Sequence, residues 1–277
     1  MSSGDQPVPR PGRPRIPHGA TVAAVHLRVS FLNELQYRSN FFLQIMQSVL
    51  QAVSGLVVVA LVFAKTTELN GWDRSELLAA VGVFTVVGGI LRTFVQPPLS
   101  KMVDEVQEGS FDFTLSRPVD AQLLVSVREI SMWQLIDVAV GMIIIAVATP
   151  DLPSELSITD IAVFLVMLAA GAVIAYCLWL ALACSAFWVV KPPYMDNLFY
   201  YVARAAQYPI SIYPTWLRIS LTTLIPLGIA VTAPAEAITS RLSWATAATI
   251  AAVTLACVAI SRTLWTRGVR RYSGASS

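Results

Sequence analysis

Long runs without a single Asp, Glu, Lys or Arg dominate the chain: residues 41–64, 161–190, 219–235 and 242–261. Residues 77–91 form a fifth such run, and residues 130–150 hold only one acid, Asp137. A helix crossing a ~30 Å hydrocarbon core needs about 20 mostly apolar residues. Four of the runs reach or approach that length, and apolar flanks complete the other two. The pattern predicts an all-α polytopic membrane protein with six transmembrane helices, at about 42–64, 76–96, 128–149, 160–190, 217–235 and 243–264.

Several stretches depart from a plain span. Val22, Val25, Val29 and Leu32 recur at helical spacing with Arg28, Glu34 and Arg38 between them, which predicts an N-terminal amphipathic interfacial helix. The fourth apolar stretch, 158–190, would be ~50 Å long as one helix and must tilt, kink or project beyond the bilayer. The fifth contains Pro226 and is followed by Pro234, so a broken or partly re-entrant helix is expected there. Between these two, residues 194–216 carry seven aromatic rings together with Asp196 and Arg204, the pattern of interfacial anchoring.

Composition sharpens this picture. Only 13% of the residues are charged, about half the share in soluble domains, so a soluble enzyme is excluded as the leading reading. Of the 19 Lys and Arg residues, 16 fall in the N-terminus, the 92–128 and 191–218 connections and the C-terminus. By the positive-inside rule both termini are expected to face the cytoplasm, with the chain in the cell inner (plasma) membrane. Residues 1–20 are rich in Pro, Arg and Gly and lack the apolar core of a signal peptide; an uncleaved, disordered basic tail is expected. Cys177, Cys184 and Cys257 sit inside apolar runs without metal-ligand spacing, and the two histidines, His18 and His26, lie near the N-terminus. No catalytic or metal constellation results, and no enzyme activity is expected.

Three features bear on function. Pro98 suits the first turn of a helix and Gly109 the position just past its end. Between them Leu99, Met102, Val103 and Val106 form an apolar stripe, with Lys101, Asp104, Glu105 and Glu108 mostly off it. Such a helix lies on lipid headgroups or fits a groove on a partner. Gln44, Gln47, Ser48, Gln51, Ser54 and Gly55 make a polar and small stripe on the first span, suited to helix–helix contact or to lining a translocation path. Asp137, about two turns into the third span, is placed to pair with Arg92 or to reach the interface, with a substrate or proton role as the alternative. Gly88, Gly89, Gly141 and Gly171 permit close helix approach.

The stretch Gly109-Ser-Phe111-Asp112-Phe113-Thr-Leu115-Ser-Arg117-Pro118 resembles the G-x-hydrophobic-D-x-x-L-x-R-P signature of the ABC-2-type exporter permeases. Ala186-Phe187-Trp188, the 208–218 segment, Ile225-Pro226, Ala233-Pro234-Ala235 and the ending from Trp265 to Gly274 extend the resemblance over roughly residues 25–274. The domain organisation expected is a 1–20 tail and an ABC-2-type transmembrane domain over 21–274.

The resemblance implies a permease subunit of an ATP-driven ABC exporter. Its helix after the second span would be a coupling helix. On that carry-over Leu99, Met102, Val103 and Val106 meet an ATPase subunit. Gly109, Asp112, Leu115, Arg117 and Pro118 shape the adjoining turn, with Asp112 as a cap and Arg117 forked onto carboxylate or carbonyls. Gln44, Gln47, Gln51 and Asp137 are candidates for the translocation path. The chain has no G-x-x-x-x-G-K-[ST] loop, so ATP and Mg are expected on a partner ATPase and no cofactor in this chain. The implied partners are ABC ATPase subunits, a second permease (homo- or heterodimer) and membrane lipid, with no nucleic acid. The competing readings are an ion- or proton-coupled secondary transporter using Asp137 and a non-transporting membrane scaffold.

Overall fold

In the computed structural model, residues 38–152, 157–188, 212–223 and 226–272 are described. The expected interfacial helix, the 1–20 tail and most of the aromatic 194–216 segment lie outside them. Among the described residues there is no β-strand, and five helices are long and apolar enough to cross a membrane.

The first is α1 (Arg38–Phe63). Asn70 and Gly71, at φ 51° and 81°, then turn the chain back. Two successive left-handed residues suit the tight reversal that pairs Leu69 with Trp72. Asp73 and Glu76 form a reciprocal capping box that starts α2 (Arg74–Ile90).

A π-turn, Leu91–Val95, leads directly into α3 (Gln96–Glu108). The predicted second span and the helix after it are thus one rod of 35 residues. The two prolines explain the irregular turn. Pro97 has no N–H, so the Thr93 carbonyl loses its ladder donor, and it accepts instead from the Ser131 N–H at 3.0 Å. The break therefore ties the rod to the start of the next span. Gly109, at φ 73°, ends α3 in a Schellman motif, with the Ser110 N–H on the Glu105 carbonyl at 2.9 Å.

Two short helices follow, α4 (Asp112–Leu115) and α5 (Ala121–Val127). Met132–Gln134 is a 3-10 turn that opens α6 (Leu135–Ala148). The fourth span is α7 (Ile158–Ala183), capped by Ser157 and Asp160 and tightened into a 3-10 turn at Cys184–Phe187.

The expected break in the fifth span is present: two short pieces, α8 (Thr215–Thr223) and α9 (Leu227–Ile238), with Pro226 at the N-cap of the second. The count of six full spans is corrected, because this segment is not a membrane-length helix. At 12 residues α9 is ~18 Å long, too short to cross. Every residue from Leu227 to Ala235 is buried, against α7, α2, α8 and α10. The sixth span is α10 (Trp244–Arg271), capped by Ser243.

Close backbone approach organises the centre. A Cβ on Gly141 would stand 2.7 Å from the Gly82 carbonyl, and one on Gly171 2.2 Å from the Ala230 carbonyl. Pro234 removes the donor that the Ala230 carbonyl would otherwise have four residues on. The carbonyl that Pro234 leaves without a ladder donor thus lies against Gly171 at the α7–α9 crossing.

Candidate functional site

The apolar stripe of α3 faces inward. Leu99 and Met102 are 1% and 0% exposed, while Val103, Val106 and Leu115 are half-buried and pack on the same core. A partner would not reach Leu99 or Met102 in this arrangement, because the stripe fills this chain's own interior. The open face of α3 is Lys101, Asp104, Gln107 and Glu108.

The turn after α3 is gripped from two sides. Phe111 is fully buried among Tyr272, Phe187 and Trp265, with ring centroids 5.6, 5.8 and 6.3 Å away. Tilted and edge-to-face contacts at these separations each add stabilisation beyond the area they bury. Gly268 leaves room for Phe187, whose ring would meet any Cβ placed there. Burial pushes the Tyr272 phenol pKa up. On the other side Arg128 Nη1 donates to both Glu105 carboxylate oxygens at 2.8 Å, and Thr114 Oγ1 donates to Glu105 Oε2 at 3.1 Å. Phe111, Phe187, Trp265 and Tyr272 all lie in the stretches that carry the family resemblance, yet nothing in one-dimensional spacing shows that they meet. Glu105 and Arg128 are 23 residues apart and leave no local signal.

Two expectations for this turn are corrected. Asp112 is not a cap: it opens α4 with an exposed side chain, and the N-cap position belongs to Phe111. Arg117 is exposed and makes no ion pair among the described residues, because the chain beside it turns its polar face to solvent. Pro118 is exposed as well.

Deeper in the bundle, Asp137 is 2% exposed. Its Oδ2 accepts from Arg92 Nε at 2.9 Å and lies 2.7 Å from Arg92 Nη2, while Ser48 Oγ donates to Oδ1. Gln44 Nε2 donates to Gln134 Oε1 at 2.8 Å. This network joins α1, the π-turn and the start of α6, so the pairing of Asp137 with Arg92 is the arrangement present. Gln47 and Gln51 stand outside it, exposed and half-buried.

At the opposite end of the bundle, Arg241 Nη1 meets Glu76 Oε2 at 2.7 Å and its guanidinium carbon lies 5.1 Å from the Trp72 ring centroid. This clamp ties the α9–α10 turn to the first turn of α2. No group of three His, Cys, Asp or Glu among the described residues is placed to hold a metal.

The arrangement is a long rod whose first half, α2, is covered on all sides and whose second half, α3, is buried on one face and open on the other, with specific contacts from Ser131, Arg128 and Asp137 holding it. The family model described as ABC-2 family transporter protein matches residues 49–276, which include the rod, the gripped turn and α10. No curated protein and no solved structure matches. A match over that share of the sequence, together with five membrane-length helices, places this chain in the ABC-2 transporter family as a multi-pass membrane protein.

Proposed function

We propose that this chain is the permease subunit of an ATP-driven exporter, pairing with a second permease and with ATPase subunits that bind ATP and Mg. The observation that carries the reading is the continuity of α2, the π-turn and α3. A force applied to the open face of α3 reaches the bundle centre without crossing a flexible joint, and Phe111 passes it to α7 and α10. Both termini are cytoplasmic in this reading, in a cell inner (plasma) membrane. The end of α10 that carries Arg267, Arg270 and Arg271 lies beside the gripped turn, in keeping with the excess of Lys and Arg on that side. The element meeting the ATPase is the α3–α4 turn, residues 99–118; its inward side chains are the transmitting half.

The test is affinity purification of the tagged full chain in mild detergent, followed by reconstitution. A stoichiometric Walker-motif ATPase whose hydrolysis the permease alters is the expected result. Its absence from several detergents would remove the reading. The ion-coupled alternative needs the Asp137 carboxylate open to a transported ion or proton, and here both of its oxygens are already engaged by Arg92 and Ser48. Under the exporter reading, reconstituted transport needs ATP and is unchanged when the proton gradient is collapsed.

A further inference from the structure

The last turns of α10 have two unlike faces. Trp265 and Tyr272 turn inward onto Phe111, and Gly268 between them makes room for Phe187. Arg267, Arg270 and Arg271 are exposed and make no ion pair among the described residues. They continue a line of exposed positions, Ile260 and Thr263, at three- and four-residue steps. Only 11% of the apolar window of this helix is buried in the chain. The outward face of α10 therefore passes without a break from hydrocarbon to guanidinium.

The depth of these arginines follows from the two ends of the helix. Trp244, 92% exposed, opens α10. From there the helix rises ~32 Å to Trp265, the thickness of a hydrocarbon core. Two exposed rings stand at the level of Trp265. Trp188, 43% exposed, lies edge-on to Phe187, and Phe113, 78% exposed, follows two residues after Phe111. Phe187 and Phe111 both touch Trp265. Exposed tryptophans sit at headgroup level, so Arg267, Arg270 and Arg271, ~3–9 Å further on, reach the phosphate layer.

The neighbouring acids do not neutralise them. Glu105 is held by Arg128, Glu129 by Lys101 and Asp120 by Arg262. Asp104 and Glu108 belong to the open face of α3. Asp112 lies near enough to the end of α10 to act on the Tyr272 phenol, and Arg117, exposed and without an ion pair among the described residues, offsets it in charge. Like charges three and four residues apart on a helix repel one another, and no carboxylate among the described residues pairs with these three. A phosphate at their depth relieves that repulsion.

We propose that Arg267, Arg270 and Arg271 bind the headgroup of an anionic phospholipid, in the leaflet that this end of α10 reaches. The lipid lies along Ile260 and Thr263 and holds the last turns of α10 against the gripped turn. The site needs no ATPase, so it stands or falls apart from the exporter reading.

The test is native mass spectrometry of the full chain in mild detergent, titrated with phosphatidylglycerol or with phosphatidylcholine of the same acyl chains. Wild type is expected to bind phosphatidylglycerol at least about tenfold more tightly, a preference that shrinks as salt is raised. The combined Arg267→Gln, Arg270→Gln and Arg271→Gln variant should bring the preference to within about twofold. All three positions are exposed, so elution profile and melting temperature in detergent should match wild type. Removing the same charge elsewhere, with Arg10→Gln, Arg13→Gln and Arg15→Gln, should leave the preference in place. Equal loss in the two variants would show diffuse attraction by net charge and overturn the site, as would a wild type without preference. Inorganic phosphate that displaces the lipid as effectively as phosphatidylglycerol itself would mark a free-phosphate site and likewise overturn the proposal. A melting temperature raised by phosphatidylglycerol in wild type and not in the α10 variant supports the hold on the gripped turn.

Discussion

The helices α1 and α2 have nearly the same mean hydropathy, yet 22% of the apolar window of α1 is buried in the chain and 67% of that of α2. Composition therefore decides that both enter a membrane, and something else decides which becomes the axis of the bundle. In α2 the small residues Ala79, Ala80, Gly82 and Gly89 let α6 approach along its whole length. Large side chains on α1, among them Phe42, Met46, Leu50 and Leu61, stand outward, and of the side chains described from Phe42 to Phe63 only the line Ser48, Ala52, Gly55 and Val59 is fully covered. Lipid tails are as apolar as leucine, so apolarity alone gives no preference for protein over lipid; close packing and polar ties do. The polar tie of α1 is the pair of Ser48 with Asp137, reinforced by Gln44 with Gln134.

The largest effect expected is at that tie. Asp137→Ala leaves the Arg92 guanidinium without its carboxylate and should cost about 3–5 kcal/mol in a denaturation measured in detergent. The double variant Arg92→Leu, Asp137→Leu should recover much of the loss. A single variant as stable as wild type would show that α1 is held by other means.

Packing at the glycine crossings comes next. Gly171→Ala places a methyl against the Ala230 backbone and should cost about 1–3 kcal/mol, read as a lower melting temperature. Leu50→Ala on the outward face of α1 should change monomer stability by no more than about 0.5 kcal/mol. Equal effects at the two positions would erase the distinction between axis and periphery.

The smallest effect concerns a surface pair. A hydrogen bond from Arg262 holds the Asp120 carboxyl pKa below its ordinary value. The pair therefore contributes fully above the unfolded carboxyl pKa, near pH 4, and its contribution is lost as pH falls through the lower folded value. Both side chains are about half exposed, so Asp120→Asn should cost only about 0.5 kcal/mol at pH 7. Because Asn also caps a helix, the Leu123 N–H keeps its acceptor and the measurement isolates the ion pair. The difference from wild type should vanish in acid.

Much of the architecture was legible without coordinates. Charge-free runs located the five long helices, because burying an unpaired charge in hydrocarbon is costly wherever it occurs. Pro226 marked the broken fifth span, and Gly109 marked the end of α3, through local backbone rules that need no partner. The apolar stripe of α3 was legible too, but its direction was not. Periodicity says that Leu99, Met102, Val103 and Val106 share a face; whether that face meets lipid, a partner or the chain's own core depends on what folds back over it. Phe111, Phe187, Trp265 and Tyr272 do so from three parts of the chain. Likewise the two prolines at 97 and 98 announce a break, while only the packed structure shows Ser131 receiving the freed carbonyl. Local sequence determined which segments are helices, where they stop and that they belong in a membrane. Tertiary structure alone decided which helix is central, which face of α3 is open and which of two neighbouring phenylalanines is left exposed, because each depends on contacts between residues far apart in the chain.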